Sequence, residues 1–578
     1  MSVTDVVELA SVLARRYYGP KSGAIVYALL QYPRSTVAEL VAPASAALLA
    51  HHRRMLSVSD VAAPPPPLSR DDVCRCLAGL LQAGVVLVVG VVPPGEVAAA
   101  AAGGAAAAAG LGARGGAGAG AGAAKRRRVG SAGTAPPPPT HRYSVDSTPL
   151  IQRLRHPFYV RLTQDQVGAP AATVLSALLA RGRATASSLL TGVVAAGGVA
   201  DVKEGEEALA ALLASKYVRV VEVGYGARPA AGSGGGGGGS GGTAAWPGGG
   251  VGGGGTGGGS PGSSSGGGGG SGSGDSGPEP SATNDRTVWA ADMGHMQRLL
   301  LEDLCAFVAF GRLGADASRL IRAAMHRTLR YPPSRDGSGS TPAVPIADVL
   351  AAVAETVPAQ TALGLLTTMA RPEHRYVELG SSAVGEAAGG GGSGPTIGRT
   401  VAVRHGAMVR AVQASTVEFY VKKRWGTAAY RIYRLLTSVG VGSLEQKDIG
   451  DAVLMPLAPA RELLYRLLLD GLVRVTEVAK TTEYKSAAAY HLWSADGTAG
   501  VGRVLSASLK AATNYLLRVE VLERCLDRVR REVHDDDSAT SAEVEALQRR
   551  IDALDVTLLR LDKEIMVLRD LGDDAGAL

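Results

Sequence analysis

The stretch that decides the fold runs from Arg404 to Gly497 and reads RHGAMVRAVQASTVEFYVKKRWGTAAYRIYRLLTSVGVGSLEQKDIGDAVLMPLAPARELLYRLLLDGLVRVTEVAKTTEYKSAAAYHLWSADG. It contains no glycine run, and much of it has apolar residues three or four positions apart, as amphipathic helices do. The prolines at positions 456 and 459 suit the start of a helix, where the missing N–H is not needed. The spacing predicts four helices, over Arg404–Trp425, Thr427–Thr437, Glu445–Val453 and Ala460–Leu469.

Two β-rich runs follow these helices. The first carries Val473, Val475 and Val478, and the second reads Tyr-His-Leu-Trp over 490–493. Valine and aromatic residues favour strands, and the charged segment 480–486 between the runs predicts a turn. Three helices followed by a hairpin is the winged-helix pattern, here with one additional helix in front.

The same order of elements occurs three more times upstream, with β-rich runs at 85–89, 217–223 and 376–379. Tracts rich in Gly, Ala, Pro and Ser follow these runs, where hairpin loops belong, at about 93–140, about 224–283 and about 380–398. A further insertion is expected at 42–68. We predict a mainly α-helical fold with small β hairpins, built of four tandem extended winged-helix domains at residues 1–146, 147–292, 293–403 and 404–497.

The pattern changes over residues 498–578, where two long helical runs flank a polar break at 534–541. In the second run, apolar residues alternate in steps of three and four with polar residues between them, which is a heptad seam. We predict an antiparallel coiled-coil hairpin. The pattern does not separate self-folding from partner binding, and the seam residues are the candidates for contacting a partner: Leu547, Ile551, Leu554, Leu558, Leu561 and Ile565.

Composition bounds the class of protein. The net charge of +7 over 578 residues suits a nuclear protein beside nucleic acid, but does not by itself indicate DNA contact. Cys74 and Cys76 would face different sides of a predicted helix, and no second pair stands at ligand spacing, so we expect reduced thiols and no metal site. We expect no secretory signal at Met1–Leu13, and the Ala/Gly tract at 97–124 is too weakly apolar to span a membrane.

We find no catalytic constellation in the sequence. His51 and His52 have no carboxylate at a fixed spacing, and the three aspartates at 535–537 lack the glycine and spaced ligands of a calcium loop. Serines in the glycine tracts lack the strand and helix that a nucleophile elbow needs. We therefore expect a protein without catalytic residues or cofactors of its own.

A basic cluster lies inside the first low-complexity tract, at Lys125, Arg126, Arg127 and Arg128. Such a cluster is typical of a nuclear import signal, and the alternative is a solvated run of charges.

Two sets of residues are similar to RNA polymerase III subunit three, the multi-winged-helix subunit related to the large subunit of TFIIE. One set lies at 424–434, 445–449 and 461–465, and the other reads LIQRLRHPFY over 150–159, after the first wing. The resemblance implies a nuclear, non-catalytic subunit that docks on the polymerase clamp in a heterotrimer with two other polymerase III-specific subunits. It also implies contact with TFIIIB and promoter DNA, and help in promoter opening on genes for transfer RNA, 5S RNA and other short RNAs.

Winged helices present a helix and a hairpin to duplex DNA, so basic residues on these elements are the candidates for DNA contact. The alternative for each is a solvated surface charge. Arg461 and Arg466 are weaker candidates, because their helix also supplies apolar core residues. The preferred candidates are Arg153, Arg155, Arg319, Arg322, Arg330, Lys480 and Lys485.

Two other classes of protein stay open. A free winged-helix transcription factor would need a strongly basic recognition helix in each unit, and the mixed charges at 71–75 and 206–215 argue against it. A scaffold subunit of a proteasome-lid-like complex would have helical repeats before a single winged helix, and the repeated β-rich runs argue against that. The very large insertions leave the wing contacts of the first three domains open.

Overall fold

A computed structural model of the protein describes residues 3–55, 64–92, 140–221, 287–328, 339–380, 400–438, 442–479, 489–532 and 538–571. Within these ranges the chain is mainly helical, and its strands form four three-stranded antiparallel sheets. None of the helices that the structure describes combines the length and the apolar character needed to cross a bilayer.

The first unit packs four helices against a sheet of order β1-β3-β2. Ser69 caps α4 through a reciprocal capping box with Asp72. The expected insertion at 42–68 is wrong in its first part, because α3 continues to Met55 with its apolar residues at positions 40, 44 and 48 in the core. The elements are α1 Val3–Tyr18, α2 Pro20–Gln31, β1 Ser35–Thr36, α3 Val37–Met55, α4 Arg70–Gln82, β2 Val86–Val92 and β3 Thr140–Val145.

The second unit is joined to the first by a short helix and a 3-10 turn at Arg153–Arg155. Trp289, on the central strand of its sheet, is fully buried. The elements are α5 Thr148–Gln152, α6 His156–Gln166, α7 Ala169–Arg181, β4 Arg183–Thr185, α8 Ala186–Ala195, α9 Val202–Ala214, β5 Val218–Val221 and β6 Val288–Ala291.

The third unit repeats this order around its own core, which includes Leu320, Val349 and Leu366. The elements are α10 Met293–Leu313, α11 Ala315–Thr328, β7 Val344–Pro345, α12 Ile346–Val353, α13 Ala359–Ala370, β8 Val377–Gly380 and β9 Thr400–Val403.

The fourth unit corresponds to the stretch from Arg404 to Gly497. Its first helix bends at Gly426, where φ is +86°, so the predicted break between two helical runs is present. The elements are α14 His405–Thr437, β10 Leu444–Glu445, α15 Gln446–Val453, α16 Leu457–Leu469, β11 Val473–Ala479 and β12 Ala489–Ala495.

Each sheet has the same strand order, with the strand that is last in sequence at its centre. The first strand of each sheet has only two or three residues. Leu444, for example, pairs with Trp493. The sequence pattern predicts only two strands for each unit, because a run of two or three residues is too short to show an alternating pattern.

Two long helices follow the fourth unit, α17 at Gly497–Glu532 and α18 at Ser538–Ile565, and they pack against each other. The π-helical turn Met566–Asp570 extends α18. One apolar cluster joins these helices to the fourth unit and to α1 at the other end of the chain, through Leu9, Leu13, Leu509, Leu516 and Leu558 among others. The pair α17 and α18 therefore packs against both α1 and the fourth unit.

Candidate nucleic-acid interface

The bend in α14 is fixed by one carboxylate. Asp470, the residue after α16, accepts a hydrogen bond from Trp425 Nε1 at 3.0 Å and from Arg503 Nη2 at 2.7 Å. Tyr420 Oη donates to the same side chain at 3.3 Å. Burial by itself would raise the pKa of Asp470, but these hydrogen bonds and the charges of Arg503 and Arg424 hold it below its usual value. The network ties α14, the end of α16 and the start of α17 together.

A basic and aromatic surface surrounds this bend. Between Phe419 and Leu444 the sequence has five basic residues and no Asp or Glu. We call the exposed part of this segment the α14 basic surface. It consists of the exposed residues Phe419, Lys422, Lys423, Arg424, Arg431 and Arg434, together with the half-buried Tyr430 between them.

Aromatic rings organise these cations. Lys423 Nζ lies 5.5 Å from the centre of the Phe419 ring, and Lys422 Nζ lies 5.8 Å from that of Tyr430. Arg434 donates a hydrogen bond of 2.9 Å to Tyr430 Oη. Cation–π contacts of this kind hold a charge near the surface without neutralising it.

Few carboxylates compete for this charge. Among the described residues, the ion pair between Arg424 and Asp470, at 3.4 Å, is the one that involves these five cations. Lys422, Lys423, Arg431 and Arg434 are exposed and make no ion pair within the described part of the chain. Unpaired cations beside an exposed ring, here Phe419 at 57% exposure, match the requirements of phosphate attraction and base stacking.

The residues expected from the sequence to contact DNA do not include this surface. The signal that could have found it is the long interval without an acidic residue, from Phe419 to Leu444, combined with interleaved aromatic residues.

Two predicted DNA-contact residues lie in the interior. Arg153 is buried, with its guanidinium over the rings of Tyr17 and Tyr18 and hydrogen bonds to Tyr18 Oη and to the carbonyl oxygen of Ala180. Arg155 is also buried and forms ion pairs with Asp562 and Asp570. In this structure Arg155 is enclosed by two carboxylates and Arg153 packs on Tyr17 and Tyr18, so a DNA contact by these two residues would need both groups to become accessible and stays a prediction.

The other predicted residues divide into two groups. Arg319 and Arg322 are on the surface, but each pairs with a carboxylate, Asp316 at 3.0 Å and Asp303 at 2.8 Å respectively. Arg330, Lys480 and Lys485 lie outside the described residues, as does the basic cluster Lys125, Arg126, Arg127 and Arg128.

The heptad seam of α18 packs against other parts of the same chain. Leu547, Ile551 and Leu554 pack in a cluster with α17 residues, while Leu558, Leu561 and Ile565 belong to the larger core. Leu547, Ile551, Leu558 and Ile565 are buried and Leu554 and Leu561 are half-buried within one chain, so the seam holds the C-terminal helices in place. That these residues bind a partner stays a prediction.

Arg153 also lines a cleft of about 700 Å³ between α1, α6 and α7. Burial, and then the charges of Arg153 and Arg155, lower the pKa of His156 to about 3, so this histidine is neutral at physiological pH. In the described part of the chain, no three His, Cys, Asp or Glu side chains are grouped so that they could hold a metal ion.

Comparison with known proteins bears on the fourth unit. Residues 417–495 match the family model described as "POLR3C, C-terminal winged-helix domain". This range includes the whole α14 basic surface, the bend, α16 and both long strands of the sheet.

Curated relatives carry the name DNA-directed RNA polymerase III subunit RPC3. The protein from Danio rerio is 31% identical over 135 residues, which are 23% of this chain and 24% of the relative. The Homo sapiens protein is 22% identical over 202 residues, 31% of this chain and 38% of the relative. The Ajellomyces capsulatus protein is 27% identical over 182 residues, 30% of this chain and 28% of the relative.

These matches span roughly a quarter to two fifths of each relative's length. The family-model match over residues 417–495 contains residues 424–434, 445–449 and 461–465, and together with the curated matches it confirms the resemblance drawn from them. Residues 417–495 are thus similar to the C-terminal winged-helix domain of the POLR3C family, and part of the chain is similar to proteins named RNA polymerase III subunit RPC3.

Proposed function

We propose that the protein is a non-catalytic subunit of RNA polymerase III that positions promoter DNA and initiation factors and aids promoter opening. The single observation that carries the proposal is the match of residues 417–495 to the POLR3C winged-helix domain, in the segment that also bears the α14 basic surface. The similarity to several RPC3 proteins supports it.

The proposed architecture is four tandem extended winged helices followed by a coiled-coil helical hairpin. Four three-stranded sheets with one shared strand order, each following helices, support this division. The proposed boundaries are residues 1–146, 147–292, 293–403, 404–497 and 498–578.

The proposed partners are the polymerase core at its clamp, two other polymerase III-specific subunits, TFIIIB and promoter DNA, and the proposed location is the nucleus. Import through Lys125, Arg126, Arg127 and Arg128 is part of this proposal. The genes served would be those for transfer RNA, 5S RNA and other short RNAs.

We place the DNA contact of the described residues on the α14 basic surface. Its cations are exposed and largely unpaired, whereas Arg319 and Arg322 would have to leave Asp316 and Asp303 to bind a phosphate. Arg330, Lys480 and Lys485 are further candidates. Charge reversal at Lys480 and Lys485 should weaken promoter-complex formation if the wing lies against DNA.

Affinity purification of the tagged full-length chain from nuclei tests the assignment to the polymerase. Mass spectrometry should identify RNA polymerase III subunits at near-stoichiometric levels. Recovery of proteasome-lid-like subunits instead, or of the chain alone, would contradict it.

Fluorescence anisotropy with a labelled promoter-length duplex tests the DNA surface. The triple variant Lys422→Glu, Lys423→Glu, Arg434→Glu should bind at least tenfold more weakly, with a lower dependence of affinity on salt, because fewer counterions are released. The matched control reverses three exposed cations elsewhere, Arg70, Lys203 and Arg371, and should bind almost as the unaltered chain does. Equal losses in both variants would mean that net charge, rather than this surface, governs binding.

A further inference from the structure

The third helix of the fourth unit has an apolar outer surface, although this is the helix that a DNA-binding winged helix lays in the major groove. Leu457 and Tyr465 are 46% and 53% exposed, and Leu469 at its end is 88% exposed. Leu454, just before the helix, is 89% exposed. We call Leu454, Leu457, Arg461, Tyr465 and Leu469 the α16 outer face.

The charges on this helix are poorly suited to a phosphate backbone. Arg466 pairs with Glu462 one turn before it, so that pair contributes no net charge. Arg461 has only the amide oxygen of Gln446 as a partner, at 3.4 Å, and no carboxylate among the described residues. One free guanidinium among four exposed apolar side chains is a weak anchor for DNA, whose affinity depends on several phosphate contacts.

The same features suit a protein surface. Large exposed apolar side chains that lie together mark protein interaction sites, and Tyr, Leu and Arg are common in them. Tyr465 is held in place by an edge-to-face contact with the buried Trp493, with ring centres 5.5 Å apart. A side chain that is fixed before binding loses less conformational entropy when a partner arrives.

We infer that the α16 outer face binds a protein partner through an amphipathic helix whose apolar stripe carries an Asp or Glu opposite Arg461. The 13 residues of α16 extend for roughly 20 Å at 1.5 Å per residue, a length that about four turns of a partner helix would match. The carboxylate satisfies the one cation on this face without an acidic partner in the described part of the chain. The inference rests on the proposed function, since the partner belongs to the assembled polymerase, and it assigns DNA to the α14 basic surface instead.

The decisive experiment places p-benzoylphenylalanine at Leu469 of the full-length chain and irradiates the chain in purified polymerase complexes with promoter DNA present. We expect a crosslink to a protein segment with helical apolar spacing and at least one acidic residue. The control position is Val556 on α18, an exposed valine at a distance in sequence from this face. An adduct with DNA, an adduct with a second copy of this chain, or a yield no greater than at Val556 would overturn the inference.

A pair of variants gives a second measurement. Leu454→Glu with Leu469→Glu should reduce retention in the polymerase complex at least tenfold, because two charges would be buried against an apolar partner. Both positions are almost fully exposed in the free chain, so its melting temperature should not change. The control pair Val521→Glu and Val556→Glu adds the same charge at exposed positions on the C-terminal helices and should be retained normally.

The outcomes separate this inference from the proposed function. If the unaltered chain copurifies with the polymerase and the Leu454/Leu469 variant is retained equally well, the inference fails while the proposed function stands. If the unaltered chain does not copurify with the polymerase, both fail.

Discussion

The guanidinium of Arg155 lies 3.1 Å from a carboxylate oxygen of Asp562, although 407 positions separate the two residues in the chain. A second bond of 3.2 Å, from Nε to the other oxygen of Asp562, makes the contact bidentate, and Asp570 lies 2.7 Å from the same guanidinium. The connector before the second unit is therefore fastened to the last helix by a buried charge cluster.

Replacing Arg155 with Leu should destabilise the protein strongly. The buried Asp562 would lose its counter-charge and Asp570 would keep only Arg569, at 3.8 Å, and the loss of one partner from a buried pair costs about 3–5 kcal/mol of unfolding free energy. Urea unfolding followed by circular dichroism measures this change. Arg560→Leu removes an exposed arginine from the same region of α18 and should change the unfolding free energy little, so equal effects of the two variants would contradict the importance of the cluster.

Asp470→Asn tests the network at the bend of α14. The carboxylate accepts hydrogen bonds from Trp425 and Arg503, so the neutral amide should lower the unfolding free energy at pH 7 by about 1–3 kcal/mol. Because the pKa of Asp470 is lowered in the folded state, its contribution is present above the ordinary value of 3.8 and is lost as pH falls through the folded-state pKa.

The difference between the unaltered chain and Asp470→Asn should therefore shrink in acid. The exposed Asp451→Asn is the matched control and should follow the unaltered chain. A difference that is the same at pH 3 and pH 7 would exclude the charged form of Asp470 as its source.

Glu302 gives a pH dependence of the opposite sign. The residue is 7% exposed, and burial raises the pKa of its carboxyl from 4.5 to about 7, with Arg322 lowering that pKa and Asp303 raising it to a smaller extent. The protonated form is favoured in the folded state, so this stability is complete below pH 4.5 and is lost as pH rises through about 7.

Glu302→Gln should therefore stabilise the third unit at pH 8, by roughly 2 kcal/mol. Thermal melting at pH 5 and pH 8 measures the effect, with the larger gain expected at pH 8. Glu355→Gln makes the same change at an exposed glutamate of the same unit and is the control, which should give no such gain. An equal effect of Glu302→Gln at both pH values would contradict the assignment.

Gly426→Ala should weaken the bend in α14. The added methyl group would meet no atom within 4 Å, so the cost comes from the positive φ of +86°, which L-residues disfavour by about 1–2 kcal/mol. Gly502→Ala is the matched control, because it also has open space but lies in the regular helix α17 without a positive φ. Melting temperature should fall for Gly426→Ala and should stay level or rise for Gly502→Ala.

Local patterns determined the order of the elements in the fourth unit. The helices of 404–469 and the strands near 473–478 and 490–493 follow from apolar spacing, prolines at a helix start and the stop at Gly471. These signals act over a few residues, so they can be identified in a single sequence. The first strand of the sheet, Leu444–Glu445, is not predicted by local patterns, because it is defined by its pairing with Leu492 and Trp493, which are distant in sequence.

Only the tertiary structure decided which basic residues are open to solvent. Arg155 and Lys422 are alike in sequence as cations near apolar residues, yet the first meets Asp562 and Asp570 in the interior and the second stays exposed. The physical reason is that helical periodicity is local, whereas burial and charge neutralisation depend on residues hundreds of positions away. For the same reason, the heptad spacing of α18 is visible in the sequence. Only the fold shows that α17 and the shared core of the same chain pack against these residues.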